Sequence, residues 1–207
     1  MIDLIVPTID GREDSLKRCL RSFRANTDDL NVIVVAESKT CGWGWQQGLA
    51  ASTAPYVALV ADDLECISPA WAERCMEAAD EDLLPCPRVY TPRGAIESQG
   101  GDMNAVGHLL NRHRKDGAPC DFTTVPFMSR SQAERIEMID TQYCCDVWVS
   151  YRGRQLGCET VLRHGYDLVH HQEQVGRGAG MAQNDRDRID AEAMFLALES
   201  GVEVASG

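Results

Sequence analysis

Tyr56-Val57-Ala58-Leu59-Val60-Ala61-Asp62-Asp63-Leu64-Glu65 is a short apolar run that ends on paired carboxylates. Pro55 bounds it on the amino side. Its Val and Leu content suits a strand buried on both faces, as in a parallel sheet. Asp62, Asp63 and Glu65 follow its carboxyl end, which in an open α/β sheet is where ligands bind. Adjacent carboxylates repel each other and are costly to desolvate, so a cation is expected to neutralise them. A hard divalent metal carrying a phosphorylated substrate has that chemistry. A solvated acidic turn is the competing reading of the pair taken alone.

Outward from this run, strand and helix patterns alternate. Ile2–Val6 reads as the opening strand, ended by Pro7 and the turn Asp10-Gly11. Leu16, Cys19, Leu20 and Phe23 recur at helical spacing over about residues 12–24, with Arg12, Lys17, Arg18, Arg21 and Arg24 outward. Val32–Val35 is a second strand ending at Ala36-Glu37-Ser38, and Gly42–Ala51 is a glycine-punctuated turn into a helix. Ser68-Pro69 predicts a helix start, with serine as N-cap. Such alternation over residues 1–80 implies a parallel, Rossmann-like sheet with right-handed crossovers. Gly42-Trp43-Gly44 lacks a third glycine and follows the second strand, so a dinucleotide-binding loop is weakly supported.

The second half is less regular. Val89–Tyr90 and Phe122–Met128 read as strands, and Ser131 through Glu134 matches a capping box for a helix near 132–138. Asp146–Leu156 reads as a helix closed by Gly157. Strands at Glu159–Leu162 and Tyr166–His170 are separated by His164-Gly165, and Ala182–Leu198 forms a closing amphipathic helix. A single domain over 1–207 is expected.

The 207 residues suffice for one sizeable core. No apolar stretch reaches bilayer-spanning length and no signal-peptide pattern opens the chain, so a soluble, cytoplasmic protein is expected. Nine cysteines without a CxxC pair read as buried reduced thiols. The net charge of −12 argues against a broad nucleic-acid surface. Arg112, His113, Arg114 and Lys115 form one local basic cluster, read either as a solvated element end or as a contact for a polyanionic acceptor.

Four segments, taken in order, resemble the inverting family 2 glycosyltransferases of GT-A fold, small soluble and phage-like members included. They are Ile5-Val6-Pro7-Thr8 with Arg12 and the helix to Phe23; Gly44–Ala51 leading to Asp62-Asp63; Ile96-Glu97-Ser98-Gln99-Gly100-Gly101; and Asp146–Arg152 with Gly157, followed by Leu168-Val169-His170-His171. Together they cover about residues 2–178. The resemblance implies a mixed, mostly parallel central sheet flanked by helices. A nucleotide-sugar-binding half lies in 1–80, an acceptor and catalytic half in 81–180, and a C-terminal helix in 181–207. The chain departs from the family pattern at Ala36-Glu37-Ser38, at Gln46 where Asn is common, at Ala61 before the acids, and at Cys145 before Asp146. These departures leave the nucleotide and the sugar open.

The implied reaction moves a sugar from a nucleotide-diphosphate sugar to an acceptor hydroxyl, with Mn²⁺ or Mg²⁺ as cofactor. By the resemblance Asp63 is the metal ligand, Asp62 touches ribose or metal, and Glu65 is a weaker ligand. One of His170 and His171 is a third metal or diphosphate contact, because neighbours on a strand point to opposite faces. Asp146 is the general base, or else the N-cap of its helix. Pro7 and Thr8 shape the donor pocket, with Arg12, Glu37 and Gln46 nearby. Trp45 either stacks on the donor or is packed, and Arg177 lies in a glycine-rich segment read as a lid or as plain surface. The acceptor is a glycan, a protein or a modified DNA base. A non-catalytic nucleotide-sugar or glycan-binding module and a nucleotidyltransferase on a similar scaffold are the competing functions; Pro7–Arg12 is a poor phosphate loop for the latter.

Overall fold

A computed structural model describes residues 1–103, 109–111, 114–140 and 145–171, with backbone alone at 101–103 and 109–111. Arg112, His113, Arg177 and the expected helix over Ala182–Leu198 lie outside the described residues. In chain order the elements begin with β1 (Ile2–Pro7), α1 (Glu13–Ala25), β2 (Leu30–Val35), α2 (Cys41–Ala51), β3 (Tyr56–Leu59), β4 (Leu64–Cys66) and α3 (Trp71–Asp80). They continue with β5 (Leu84–Tyr90), β6 (Ile96–Ser98), β7 (Gly101–Met103), β8 (Leu109–Asn111), β9 (Pro119–Cys120) and β10 (Phe127–Ser129). Then come α4 (Arg130–Arg135), α5 (Cys145–Gln155) and β11 (Thr160–His170).

The first sheet has the order β10-β3-β1-β2, with β1 parallel to both β2 and β3 and only β10 antiparallel. Every residue of β1 is buried. Its alternation sends Ile2, Leu4 and Val6 into one core with Cys19, Phe23 and Trp71. Ile5 enters a second core with Trp45, Leu59 and Val149. Asp3 is buried too, accepting from Ser52 Oγ, from the Thr53 and Ala54 amides and from Asn31 Nδ2. Burial pulls its carboxyl up, but these donors outweigh it and hold it below the usual range. The second sheet runs β4-β11-β5-β6, with β9 also on β11, and β7 pairs with β8 in a separate ribbon. This is the mixed α/β architecture, parallel strands flanked by helices, that the GT-A resemblance implies. Among the described residues no helix is long and apolar enough to cross a membrane, and the eight described cysteines are free thiols.

Several elements differ from the sequence expectation, each for a local reason. α3 starts at Trp71 with no side-chain cap, because the Ser68 hydroxyl bonds Asp167 instead, at 3.0 Å. The capping box sits two residues earlier than expected: Ser129 and Gln132 reciprocate, at 3.2 and 2.8 Å, and Gln132 is fully buried. Phe122–Met128 is strand only from Phe127, since Thr123 bonds the Ser150 hydroxyl and the Pro85 carbonyl rather than a ladder partner. The two strands expected over 159–170 are one, Thr160–His170, interrupted by a bulge between Leu162 and Asp167 in which Gly165 takes φ +86°.

Candidate active site

Asp62 and Asp63 form the turn between β3 and β4, where the chain leaves the first sheet for the second. Both are buried. The cation beside them is Arg12. Its Nε donates to Asp62 Oδ2 at 2.9 Å, while Nη2 lies 2.6 Å from Asp62 Oδ1 and 3.1 Å from Asp63 Oδ2. Thr8 Oγ1 donates to Asp62 Oδ2 at 2.7 Å. Arg12 is therefore turned inward, not outward as the helical pattern predicts. It precedes the first turn of α1, and Gly11, left-handed at φ +82°, folds the chain back over the end of β3. Burial works against the guanidinium's charge, yet Asp62 and Asp63 outweigh it and bind its proton more tightly than usual.

The second sheet supplies the other side. β4 and β11 pair antiparallel with His170 opposite Leu64, which sets the two histidines against the Asp63 turn. The His171 amide donates to the Asp63 carbonyl at 3.0 Å. His170 Nε2 lies 3.5 Å from Asp63 Oδ2, and its Nδ1 lies 3.0 Å from Glu97 Oε1. His171 points elsewhere, with Nε2 2.8 Å from Glu65 Oε2. Burial alone would lower the His170 pKa, but Asp63 and Glu97 push it up to about 9. Burial likewise raises the Asp63 carboxyl, and His170 and Arg12 reverse this to leave it below its ordinary value.

The donor atoms can be weighed for a metal ion. Both oxygens of Asp62 already accept from Arg12 and Thr8, so Asp62 suits holding the turn better than ligation. Asp63 and His170 Nε2 face each other at a distance long for a hydrogen bond. His170 Nδ1 is tied to a carboxylate, as metal-bound imidazoles commonly are. These two residues fit a divalent ion, and the imidazole nitrogen tilts the pair from Mg²⁺ toward a transition metal such as Mn²⁺. Among the described residues, no three His, Cys, Asp or Glu side chains converge to hold an ion by themselves. An ion held here would need further ligands, such as phosphate oxygens.

The other expected site residues are spread around the same sheet edge. Pro7 ends β1 and packs against α2, where a Cβ on Gly44 would lie 2.6 Å from Pro7 Cβ. Glu37 is exposed, in a turn past β2 at φ +52°. Trp45 is 3% exposed in the core beside Ile5 and Leu59, which is the packed alternative for this residue. Gln46 Nε2 donates to the Met138 carbonyl at 2.8 Å, tying α2 to the segment before α5. Asp146 is the second residue of α5 and not its cap. Burial pushes its carboxyl up to about 6, against the opposing pull of the Val147 amide and its own. Its neighbour Cys145 hydrogen-bonds Cys41, the first residue of α2, which sets the start of α5 beside the start of α2. Of the basic cluster, Arg114 donates to the Pro119 carbonyl and Lys115 is exposed.

Glu97 is the functional candidate that sequence reasoning passed over, although it lies within the segment Ile96–Gly101. A lone glutamate on a short strand carries no signal until the strand's pairing places it beside a histidine 73 residues away. The family model described as glycosyl transferase family 2 matches residues 3–144. No curated protein matches the chain in sequence.

Proposed function

Because the chain belongs to glycosyl transferase family 2 and is thus a glycosyltransferase, we propose that it moves a sugar from a nucleotide-diphosphate sugar to an acceptor hydroxyl, with inversion and with the help of a divalent ion. The observation that carries this reading is the meeting of Asp63 and His170 Nε2, 3.5 Å apart, at the carboxyl edge of the parallel sheet. When bound there, Mn²⁺ or Mg²⁺ would supply Lewis-acid neutralisation of the leaving diphosphate. Arg12 and Thr8 hold the Asp62-Asp63 turn rigid, so that the ligand oxygens need little reorganisation.

Asp146 is assigned as general base. In a single displacement the acceptor oxygen bonds to the anomeric carbon as the bond from that carbon to the diphosphate oxygen breaks. The acceptor's proton passes to the Asp146 carboxylate, and the nucleoside diphosphate departs with the bonding pair. A carboxyl whose pKa is about 6 is ionised at neutral pH, yet more basic than an ordinary aspartate.

The test is incubation with a panel of nucleotide sugars and Mn²⁺, reading free nucleoside diphosphate and glycosylated product. Asp146→Asn is expected to abolish transfer while donor binding, followed by calorimetry, persists. Turnover retained in this variant would remove Asp146 from the role.

A further inference from the structure

We propose that Glu97 is a positioning residue for this reaction, holding the His170 ring by Nδ1 so that Nε2 is presented beside Asp63. The inference rests on the reading of Asp63 and His170 given above and adds a residue to it. Glu97 stands at an irregularity of the ladder: Val89 pairs with Ser98 and Tyr90 with Ile96, which leaves Glu97 as the extra residue on β6. A bulge of this kind re-aims the side chain of its extra residue. Here that side chain reaches from the edge strand to the end of β11, two strands away in the order β11-β5-β6. The chain just beyond is held in place: Gly100 is left-handed at φ +72°, and a Cβ there would lie 2.3 Å from Cys120 Sγ. β6 is thus a firm base for the contact.

The chemistry of the ring makes the contact selective. With Nδ1–H donated to Glu97, the nitrogen left to give up its proton and offer a lone pair is Nε2, the atom nearest Asp63. His171 provides the contrast within the same dipeptide. Glu65 takes its Nε2, and the ring is turned away from Asp63. Two adjacent histidines thus receive different orientations from two different carboxylates.

The experiment compares wild type with Glu97→Ala, Glu97→Gln and Asp63→Asn, titrated with Mn²⁺ alone by electron paramagnetic resonance. The metal-free proteins are examined in parallel by NMR for the downfield His170 Nδ1 proton. Glu97→Ala should weaken Mn²⁺ binding about 10–100-fold and lose the Nδ1 resonance. Glu97→Gln keeps an acceptor oxygen at the same reach, so it should retain the resonance and bind more tightly than Glu97→Ala. Wild-type Mn²⁺ affinity in a folded Glu97→Ala, with Asp63→Asn impaired, overturns the role of Glu97 and leaves the metal reading standing. Equal binding by wild type and Asp63→Asn overturns the metal reading itself, and the positioning role with it. Should Glu97→Ala not fold, Glu97→Asp, one methylene too short to reach Nδ1, takes its place with the same two outcomes.

Discussion

Asp62 and Asp63 are neighbours in a buried turn, where two like charges would oppose folding without a cation between them. The fold supplies that cation from Arg12, and Thr8 adds a hydroxyl donor to Asp62. The pair is unequally engaged: both oxygens of Asp62 accept from Arg12 and Thr8, while Asp63 Oδ2 meets Arg12 Nη2 at 3.1 Å and faces His170. Asp146 is the opposite case, a carboxyl that burial raises from 3.8 to about 6 against only the pull of nearby backbone amides. Because its pKa is higher folded than unfolded, the native state binds the extra proton. The stabilisation this gives is complete below about pH 4 and is lost as pH rises through 6. Ionised Asp146 should then cost at most about 3 kcal/mol at pH 8, at about 1.4 kcal/mol for each pH unit between the unfolded and folded values. Urea unfolding should accordingly find Asp146→Asn more stable than wild type at pH 8, with the gap closing toward pH 4. The wild-type kcat/KM should fall tenfold per pH unit below about pH 6. An asparagine variant no more stable at pH 8 would contradict a half-buried, charged aspartate.

Helix α2 illustrates what a sequence pattern conceals at the scale of an element. Gly44 and Gly48 read as turn punctuation, yet both lie inside the helix on the face toward β1. A Cβ on Gly48 would lie 2.1 Å from Ile5 Cγ2, so the missing side chain is what lets α2 lie close on the central strand. Alanine is the better helix former by about 1 kcal/mol, and in an open helix Gly48→Ala would stabilise. Here overpacking should prevail, at about 1–3 kcal/mol, leaving a net loss readable as a lower denaturation midpoint; an unchanged or raised midpoint would mean that α2 can retreat from β1. Strand and helix alternation over the first 80 residues was legible because periodicity and strand ends are local. The bulge in β11 and the cap at Ser129 were not. His164-Gly165 carries the same signal as a turn between two strands, and Ser129 and Ser131 compete for one helix start. That choice is made by Gln132, whose buried side chain also donates to the Leu83 carbonyl at 3.3 Å.

Across the whole molecule, the candidate site lies on the seam between two sheets. Thr8, Arg12 and Asp62 come from the first, His170 and Glu97 from the second, and the Asp62-Asp63 turn is the covalent link between them. The acids could be picked from the sequence because paired carboxylates at a strand end are a local mark, whereas only the family resemblance pointed to the late histidines and Asp146. Which histidine meets Asp63, and that Glu97 holds it, depends on long-range register: β11 against β4, and β6 with its bulge against β5. No local pattern encodes either. The seam also makes a prediction about ligands. Asp63 and His170 are too few to bind an ion strongly on their own, and the described residues offer no third ligand converging with them. A nucleotide diphosphate would complete the set, so ion and nucleotide should each tighten the other's binding by the same factor. A ligand at about 100 times its Kd stabilises by about 2.7 kcal/mol, which for a chain of this size is a rise of about 5–10 °C in Tm. Thermal unfolding should therefore show small shifts with Mn²⁺ alone or nucleoside diphosphate alone, and a joint shift larger than their sum. In Asp63→Asn the excess should vanish while the nucleotide's own shift survives. Strictly additive shifts in wild type would mean that the two ligands do not share the seam.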